Sequence, residues 1–176
     1  SKSERPLGRF FPEVVERVRR VPVPQFVLDG ELIVPVGDIL SFDALQQRLH
    51  PAESRITRLA RETPAQLMLF DALQVGADAL APRPLAERRA ALERFHHAHG
   101  GPDLLLSPAS VAIETARQWL RSAGTALDGV VAKQLGAPYQ PGERAMAKVK
   151  QLRTADCVVG GFRYLQKRKV VGSLLL

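Results

Sequence analysis

Two lysines separated by one residue lie in the carboxyl-terminal third of the sequence, where Lys148 and Lys150 flank Val149. Alternate side chains of a β-strand lie on the same face, so both ammonium groups would face one side. Like charges held side by side repel each other unless an anion lies between them, and phosphate is the natural partner. Arg144 and Arg153 would add to the positive charge. A solvated strand face would explain the two lysines equally well.

Acidic residues interrupt apolar, strand-like stretches at two places. Asp29 and Glu31 flank Gly30, and two carboxylates inside an apolar strand are costly unless something binds them. On a continuous strand they would share a face and could bind a metal ion or a ribose hydroxyl. Alternatively, Asp-Gly would form a tight turn between two strands, which these residues alone favour. Asp128 and Lys133 bracket a second apolar run, whose pattern by itself indicates an ordinary buried strand with polar ends.

Aromatic and imidazole side chains provide the other candidates. Phe70 ends an apolar run that begins at Leu67, and a ring at a strand end could stack on a base. A phenylalanine of the hydrophobic core is the more ordinary interpretation. His96, His97 and His99 lack the i, i+4 spacing that a helix needs to hold one metal ion, which favours a solvated helix end.

The composition of the 176 residues restricts the class of protein. An apolar fraction of 45% is typical of a folded globular chain. The net charge of +7 and the pI near 10.2 are explained either by a polyanionic partner or by solubility alone. The basic residues are concentrated in segments 1–20 and 144–169, which favours a charged binding surface. The single cysteine, Cys157, excludes an intrachain disulfide and a cysteine-based zinc site. No apolar run reaches the length of a membrane span, and the amino terminus lacks the pattern of a secretory signal.

Helices and strands follow one another irregularly along the chain. The hydrophobic pattern predicts helices over residues 10–20, 42–49, 54–62, 84–97 and 111–121. It predicts strands over residues 26–28, 32–34, 67–70, 104–106, 129–133, 145–150, 157–164 and 170–176. This mixture indicates an α+β fold with antiparallel sheets. The last strand reaches the final residue without a closing turn, so we expect the chain to stop inside a domain.

The order of these motifs resembles that of the covalent nucleotidyltransferase superfamily, which contains ATP-dependent DNA ligases and mRNA capping enzymes. Residues 28–31 resemble motif III, residues 69–73 motif IIIa, residues 127–133 motif IV, residues 147–153 with 155–161 motif V, and residues 1–2 with 11–13 motif Ia. Residues 50–55 and the turn Tyr139-x-Pro141-Gly142 resemble the small bacterial ligases of end-joining repair. The resemblance covers essentially the whole chain.

The resemblance implies a role for each matching residue. In such ligases a lysine attacks the α-phosphate of ATP, AMP passes to the 5′-phosphate of a nick, and the 3′-hydroxyl displaces AMP. Phe70 would then stack on adenine, and Glu31 would contact the ribose or a metal-bound water network. Asp128, with Glu31, would help to hold a divalent metal ion, Mg²⁺ or Mn²⁺. Lys148 and Lys150 would stabilise the charge that develops on the α-phosphate. The other nucleotide-binding residues implied by the resemblance are Lys2, Lys133 and Arg144.

The sequence also departs from the family pattern. Motif I, Lys-x-Asp-Gly, which supplies the adenylated lysine, does not occur in it. Lys2 stands where motif Ia usually has arginine, which keeps the charge but loses the bidentate fork. Asp128 stands where motif IV more often has glutamate, which shortens the side chain by one methylene. We therefore expect the chain to begin at motif Ia and to be unable to adenylate itself alone.

The resemblance predicts an antiparallel-sheet, ATP-grasp-like nucleotidyltransferase (ligase adenylation) domain over residues 1–153, truncated at its amino terminus. The first strands of an OB-fold would occupy residues 154–176. Expected partners are ATP, nicked or broken double-stranded DNA and end-joining repair proteins, with no membrane, in the bacterial cytoplasm near the nucleoid. Two alternatives are a capping-type RNA guanylyltransferase, which shares the motif order, and a non-catalytic nucleic-acid-binding remnant. Residues 69–73 and 50–55 favour a ligase over a capping enzyme.

Overall fold

The computed structural model describes residues 6–122, 129–143, 145–150, 154, 156–166 and 168–176. After a 3₁₀ turn at Gly8–Phe10, the helices are α1 (Pro12–Arg19), α2 (Phe42–Gln47), α3 (Glu53–Glu62), α4 (Leu85–His99) and α5 (Ile113–Ser122). The strands are β1 (Phe26–Ile33), β2 (Pro35–Val36), β3 (Ile39–Leu40), β4 (Gln66–Val75), β5 (Asp78–Ala79), β6 (Leu104–Leu106), β7 (Val130–Lys133), β8 (Met146–Val149), β9 (Gly161–Tyr164) and β10 (Val171–Leu175). Within these ranges none of the helices combines the length and apolar character needed to cross a membrane.

The long strand β4 organises the main sheet. It pairs antiparallel with β1 and β5 and parallel with β6. Its apolar residues pack against α4, and Leu69 of β4 and Leu92 of α4 have no exposed surface. The helix begins after Pro84 and ends at Gly100, as its sequence predicts. The α+β prediction is therefore confirmed.

Strand β1 runs without interruption through the two acidic residues that the sequence analysis singled out. Asp29 pairs with Asp71 and Gly30 with Leu69, so the intervening Phe70 has no partner on β1 and forms a β-bulge. The turn interpretation of Asp-Gly is wrong, and the predicted strands 26–28 and 32–34 are one strand. Pairing with β4 overrides the local turn preference. A Cβ atom at Gly30 would lie 2.7 Å from the Met68 carbonyl oxygen, so glycine permits the close approach of the strands.

A second buried cluster joins α1 to the start of β4 and contains Phe11, Val14, Val34 and Ala65. A charged residue, Arg48, is completely buried beside it. The Arg48 guanidinium forms an ion pair with Glu13, whose Oε1 also accepts a hydrogen bond of 3.0 Å from the Ala65 amide. Glu13 thus connects α1 to the residue that follows α2 and to the residue before β4. Removal of Glu13 would leave the buried charge of Arg48 without its counter-ion.

The strands that follow α5 form two antiparallel hairpins, β7 with β8 and β9 with β10. At the start of β7, Gly129 has φ +137°. A Cβ atom there would lie 2.1 Å from the Val149 carbonyl oxygen, so any side chain would force the strands apart. In β9 and β10, apolar side chains such as Phe162 and Leu174 are more than half exposed. Assignment of this second hairpin to an OB-fold remains a prediction.

Candidate functional site

The ring of Phe70 contacts a lysine from a distant part of the chain. Lys133 Nζ, at the end of β7, lies 4.9 Å from the centroid of the Phe70 ring. This is a cation–π contact, in which the ammonium charge interacts with the face of the ring. Phe70 is unpaired at the bulge and half-buried, and the buried clusters found among the described residues do not include it. The core interpretation of Phe70 is therefore wrong.

A second lysine lies on the same face of the hairpin. In the β7–β8 pairing, Val131 is opposite Lys148 and Lys133 is opposite Met146. Residues opposite each other in antiparallel strands project to one face, so Lys133 and Lys148 share a face and are diagonal neighbours. Lys150 follows directly after β8. The hairpin thus presents a positive face beside an aromatic ring, an arrangement suited to a ligand with a planar base and an anionic group.

A buried ion pair follows Phe70 immediately. The carboxylate of Asp71 accepts two hydrogen bonds from Arg88, 2.8 Å from Nε and 2.9 Å from Nη2, and both residues are at most 3% exposed. Such a bidentate pair fixes both side chains in one geometry. Sequence reasoning missed it, although one signal was available. Arg88 lies three residues after Leu85 and four before Leu92, on the apolar face of α4, where an unpaired charge would be costly.

The same arginine connects the sheet to the segment that follows β7. Arg88 Nη1 donates hydrogen bonds to the carbonyl oxygens of Arg83 at 2.7 Å and Ala137 at 3.0 Å. The Ala137 carbonyl also accepts from the Leu85 amide at 3.0 Å, and the Leu135 carbonyl accepts from the Ala86 amide at 3.0 Å. These carbonyl groups satisfy the first amides of α4, which lacks a side-chain cap. The connection between β7 and β8 is therefore fixed to the start of α4.

Tyr139, in that connection, completes the network. Its hydroxyl donates a 2.8 Å hydrogen bond to Asp29 Oδ2 on β1, and its ring lies 5.7 Å from the Arg88 guanidinium carbon. Burial raises the pKa of Tyr139 from its ordinary value near 10 to about 12. The hydrogen bond to Asp29 and the negative charges of Asp29 and Asp71 contribute in the same direction, and the charge of Arg88 opposes them.

This pKa predicts an alkaline titration that distinguishes the two tyrosines of the chain. Because the folded state holds the Tyr139 proton more tightly than the unfolded state, its contribution to stability is fully present below pH 10 and is lost as the pH rises towards 12. Measured by tyrosinate absorbance, the protein should show a component with a midpoint near 12. That component should be absent from Tyr139→Phe and retained in Tyr164→Phe. Its persistence in Tyr139→Phe would contradict the assignment.

The predicted metal-binding residues are only partly described. Glu31 is exposed on β1, opposite Met68, whereas Asp128 lies outside the described residues, as do Lys2 and Arg144. Within the described part of the chain, no group of three His, Cys, Asp or Glu side chains could hold a metal ion. Mg²⁺ is commonly bound by one or two carboxylates together with substrate phosphates and water, so an exposed Glu31 is compatible with such an ion.

The histidines at the end of α4 have structural roles. His96 Nε2 lies 3.0 Å from the Leu104 carbonyl oxygen, and the His99 ring packs edge-on against Phe95. The prediction of a solvated helix end holds for His97, which is exposed, but is wrong for these two partly buried rings. Elsewhere on the surface, a shallow depression is lined by residues 53–62 of α3 and contains none of the predicted site residues.

Comparison with known proteins places the chain in a family. The sequence profile described as "ATP dependent DNA ligase domain" matches residues 1–150. The chain is 48% identical to DNA ligase C2 of Mycolicibacterium smegmatis and 45% identical to DNA ligase C of Mycobacterium tuberculosis, and the alignments cover the whole chain and 50% and 51% of these relatives. The chain therefore spans about half the length of the curated relatives it matches.

Solved structures agree with this result. A mycobacterial DNA ligase D complexed with ATP and MES superimposes with a TM-score of 0.57 and 30% sequence identity, over 85% of this chain and 44% of that one. A Lig E DNA ligase, at 21% identity, has the same fold with a TM-score of 0.60. These similarities confirm the predicted nucleotidyltransferase fold.

Proposed function

The chain belongs to the ATP-dependent DNA ligase domain family, and from that premise we propose that it forms the greater part of the adenylyl-transfer site of a DNA ligase. The observation that supports the proposal is that Lys133 contacts the Phe70 ring and shares a face of the β7–β8 hairpin with Lys148. An aromatic ring can stack on adenine, and adjacent ammonium groups can bind its phosphates. The site therefore offers one group for the adenine base of ATP and others for its phosphates.

In the proposed reaction, Lys148 in β8 and Lys150 just after β8 stabilise the negative charge of the transition state. Both lysines bind the α-phosphate as negative charge develops on it. Phe70 stacks on the adenine base, and Lys133 contacts the Phe70 ring. The attacking lysine comes from a segment with Lys-x-Asp-Gly, a motif that does not occur in these 176 residues. This lysine bonds to the α-phosphorus, pyrophosphate leaves, and AMP stays attached until a 5′-phosphate of DNA accepts it. The DNA 3′-hydroxyl then displaces AMP and seals the strand.

A divalent cation, Mg²⁺ or Mn²⁺, would be held by Glu31 and Asp128 together with phosphate oxygens. When bound, it neutralises phosphate charge and so favours attack on the α-phosphorus. Lys2 and Arg144 are proposed as further contacts to the nucleotide. Glu31 is exposed on the strand next to the Phe70 bulge, which is compatible with a cation shared between protein and nucleotide.

The proposed substrate of the whole protein is nicked or broken double-stranded DNA, and the proposed process is end-joining repair in the bacterial cytoplasm, near the nucleoid, with repair proteins as partners. A net charge of +7 supports a polyanionic substrate. We assign residues 1–153 to the adenylation domain and 154–176 to the start of an OB-fold. Support for this boundary comes from the exposed apolar side chains of the β9–β10 hairpin, such as Phe162, which suit a hairpin that joins a larger sheet.

Replacing Phe70 by alanine should weaken ATP binding by about 1–3 kcal/mol, because this is the range measured for stacking of one base on an aromatic side chain. Calorimetric titration of ATP would give the change in Kd. Phe162→Ala is the matched control, since it removes an exposed phenylalanine of the β9–β10 hairpin. Equal ATP affinities for wild type and Phe70→Ala would remove Phe70 from the nucleotide site.

Nick closure tests the proposed substrate. The chain is supplied with an amino-terminal segment that carries Lys-x-Asp-Gly and with a carboxyl-terminal segment that completes the proposed OB-fold. A nicked duplex with a labelled 5′-phosphate is then added with ATP and Mg²⁺. We expect a joined strand, and no guanylylation of a 5′-diphosphate RNA supplied with GTP. Transfer to the RNA would favour the capping alternative. Salt-dependent DNA binding, without joining and without nucleotide binding, would favour a non-catalytic remnant.

A further inference from the structure

The connection between β7 and β8 contacts the main sheet at two neighbouring points. The Tyr139 hydroxyl donates a hydrogen bond to Asp29 on β1, and the Ala137 carbonyl accepts one from Arg88, which is paired with Asp71 on β4. Asp29 and Asp71 are paired residues of the two strands. One segment of the hairpin is therefore linked to both members of a single cross-strand pair.

That cross-strand pair borders the bulge that presents Phe70. On β4, Phe70 lies between Leu69 and Asp71, and on β1 the register shift falls between Asp29 and Gly30. A side chain that is hydrogen-bonded to Asp29 therefore joins the connection of the hairpin to β1 next to the unpaired Phe70. Lys133, six residues before Tyr139, is the residue that contacts this ring.

The strands of the hairpin themselves are poorly buried. Val131 and Met146 are 49% and 53% exposed, so packing contributes little to the position of the hairpin. Backbone hydrogen bonds hold the connection to the start of α4 and to Ala81, whose carbonyl accepts from the Tyr139 amide at 2.9 Å. The Tyr139 hydroxyl adds a charge-assisted hydrogen bond to β1, a link that these backbone bonds do not make. The Tyr139 ring is itself held by the Arg88 guanidinium, 5.7 Å away, which is fixed by Asp71. The hydroxyl is thus presented to Asp29 from a fixed ring.

Resting on the proposed function, we propose that Tyr139 is a positioning residue for adenylyl transfer. Its hydrogen bond to Asp29 joins the β7–β8 connection to β1 beside the bulge, and so restricts where Lys133 and Lys148 lie relative to Phe70. The separation between the base-binding ring and the phosphate-binding lysines depends on this link. Tyr139 itself does not need to touch the nucleotide.

Two measurements on Tyr139→Phe test the proposal. The first is hydrogen exchange of the β7–β8 amides in the complete chain, without nucleotide. The second is the dependence of lysine adenylation on ATP concentration, with a segment carrying Lys-x-Asp-Gly supplied. Loss of one charge-assisted hydrogen bond should speed hairpin exchange about tenfold and raise the KM for ATP about tenfold, while circular dichroism shows that the variant keeps its fold.

Matched variants separate positioning from general damage. Tyr164→Phe removes the hydroxyl of the other tyrosine and should change neither measurement. Asp29→Asn keeps an oxygen that can accept the Tyr139 hydroxyl, so we expect hairpin exchange and KM within about twofold of wild type. Asp29→Ala should reproduce the effect of Tyr139→Phe, and the double variant should add nothing further, because both changes remove the same hydrogen bond.

Unchanged hairpin exchange in Tyr139→Phe would overturn the inference, and so would faster exchange with an unchanged KM. Both results leave the proposed function intact, because wild type would still use ATP. A wild-type chain that neither binds nor uses ATP would instead overturn the proposed function, and with it the inference. That failure is recognisable because every variant would then show the same absence of ATP dependence.

Discussion

Lys150→Ala and Lys148→Ala variants should each lower the rate of lysine adenylation by about 10²–10³-fold, the range for removal of one group that stabilises charge in a transition state. Lys148 lies on the face of the β7–β8 hairpin that also carries Lys133, the residue in contact with Phe70. Because the two ammonium groups act on charge that develops during transfer, kcat should fall more than the KM for ATP rises. Transfer of label from α-labelled ATP, followed over time at several ATP concentrations, gives both constants.

Lys169→Ala is the matched control, since it removes an exposed lysine just before β10. Its rate should remain within about twofold of wild type, as expected for a solvated surface charge. Conversion of Lys148 or Lys150 to arginine keeps the charge and should recover part of the rate. If neither alanine variant differs from Lys169→Ala, the lysines do not act on the phosphate and the proposed site is wrong.

Asp71→Ala should destabilise the fold by about 3–5 kcal/mol, because it leaves Arg88 buried without its counter-ion. Domains are stable by only about 5–15 kcal/mol, so this single change should consume a large part of the total. Urea unfolding followed by circular dichroism measures the free energy of unfolding. The loss should appear as a lower midpoint with an unchanged slope.

Asp103→Ala provides the comparison for that prediction. Asp103 pairs with Arg17 at 3.0 Å, but its side chain is 46% exposed, so its removal should cost about 1 kcal/mol or less. The double replacement Asp71→Leu with Arg88→Met should recover much of the lost stability, because it removes both buried charges together. An Asp71→Ala protein as stable as Asp103→Ala would show that the Asp71–Arg88 ion pair does not stabilise the fold.

Elements whose signals lie close together in the sequence were predicted well. Helix α4 follows from Pro84 at its start, the apolar spacing of Leu85, Leu92 and Phe95, and Gly100 at its end. The β7–β8 hairpin also forms where the apolar patterns predicted strands. Both depend on capping, periodicity and turn chemistry within a few residues, which a sequence displays directly.

Features that depend on strand register were not predictable in this way. The bulge at Phe70 and the uninterrupted strand through Asp29 exist because β1 pairs with β4, more than thirty residues further along the chain. The two-residue strands β2, β3 and β5 were missed because they are shorter than any periodic signal. Their turns contain Gly37 and Gly76, both with positive φ.

The network around Arg88 was missed for a related reason. Its partners lie 17 residues away at Asp71 and 49 residues away at Ala137, and no local pattern brings them together. The motif order indicated Phe70, Lys133, Lys148 and Lys150 as members of one site. Of these, the structure brings Phe70 and Lys133 into contact and places Lys148 on the same face. The contacts of Arg88 and Tyr139, which connect the segment between β7 and β8 to the main sheet, became visible only in three dimensions.

Transfer of AMP to lysine tests the central claim most directly. The chain is incubated with α-labelled ATP and Mg²⁺ or Mn²⁺, alone or with a supplied segment that carries Lys-x-Asp-Gly, and with the same segment in which alanine replaces that lysine. We predict label on the segment only when the chain and the intact lysine are both present. No label under any condition, with a chain shown to be folded, would contradict the assignment of this site to adenylyl transfer. Label on the chain alone would show that the nucleophile lies within these 176 residues.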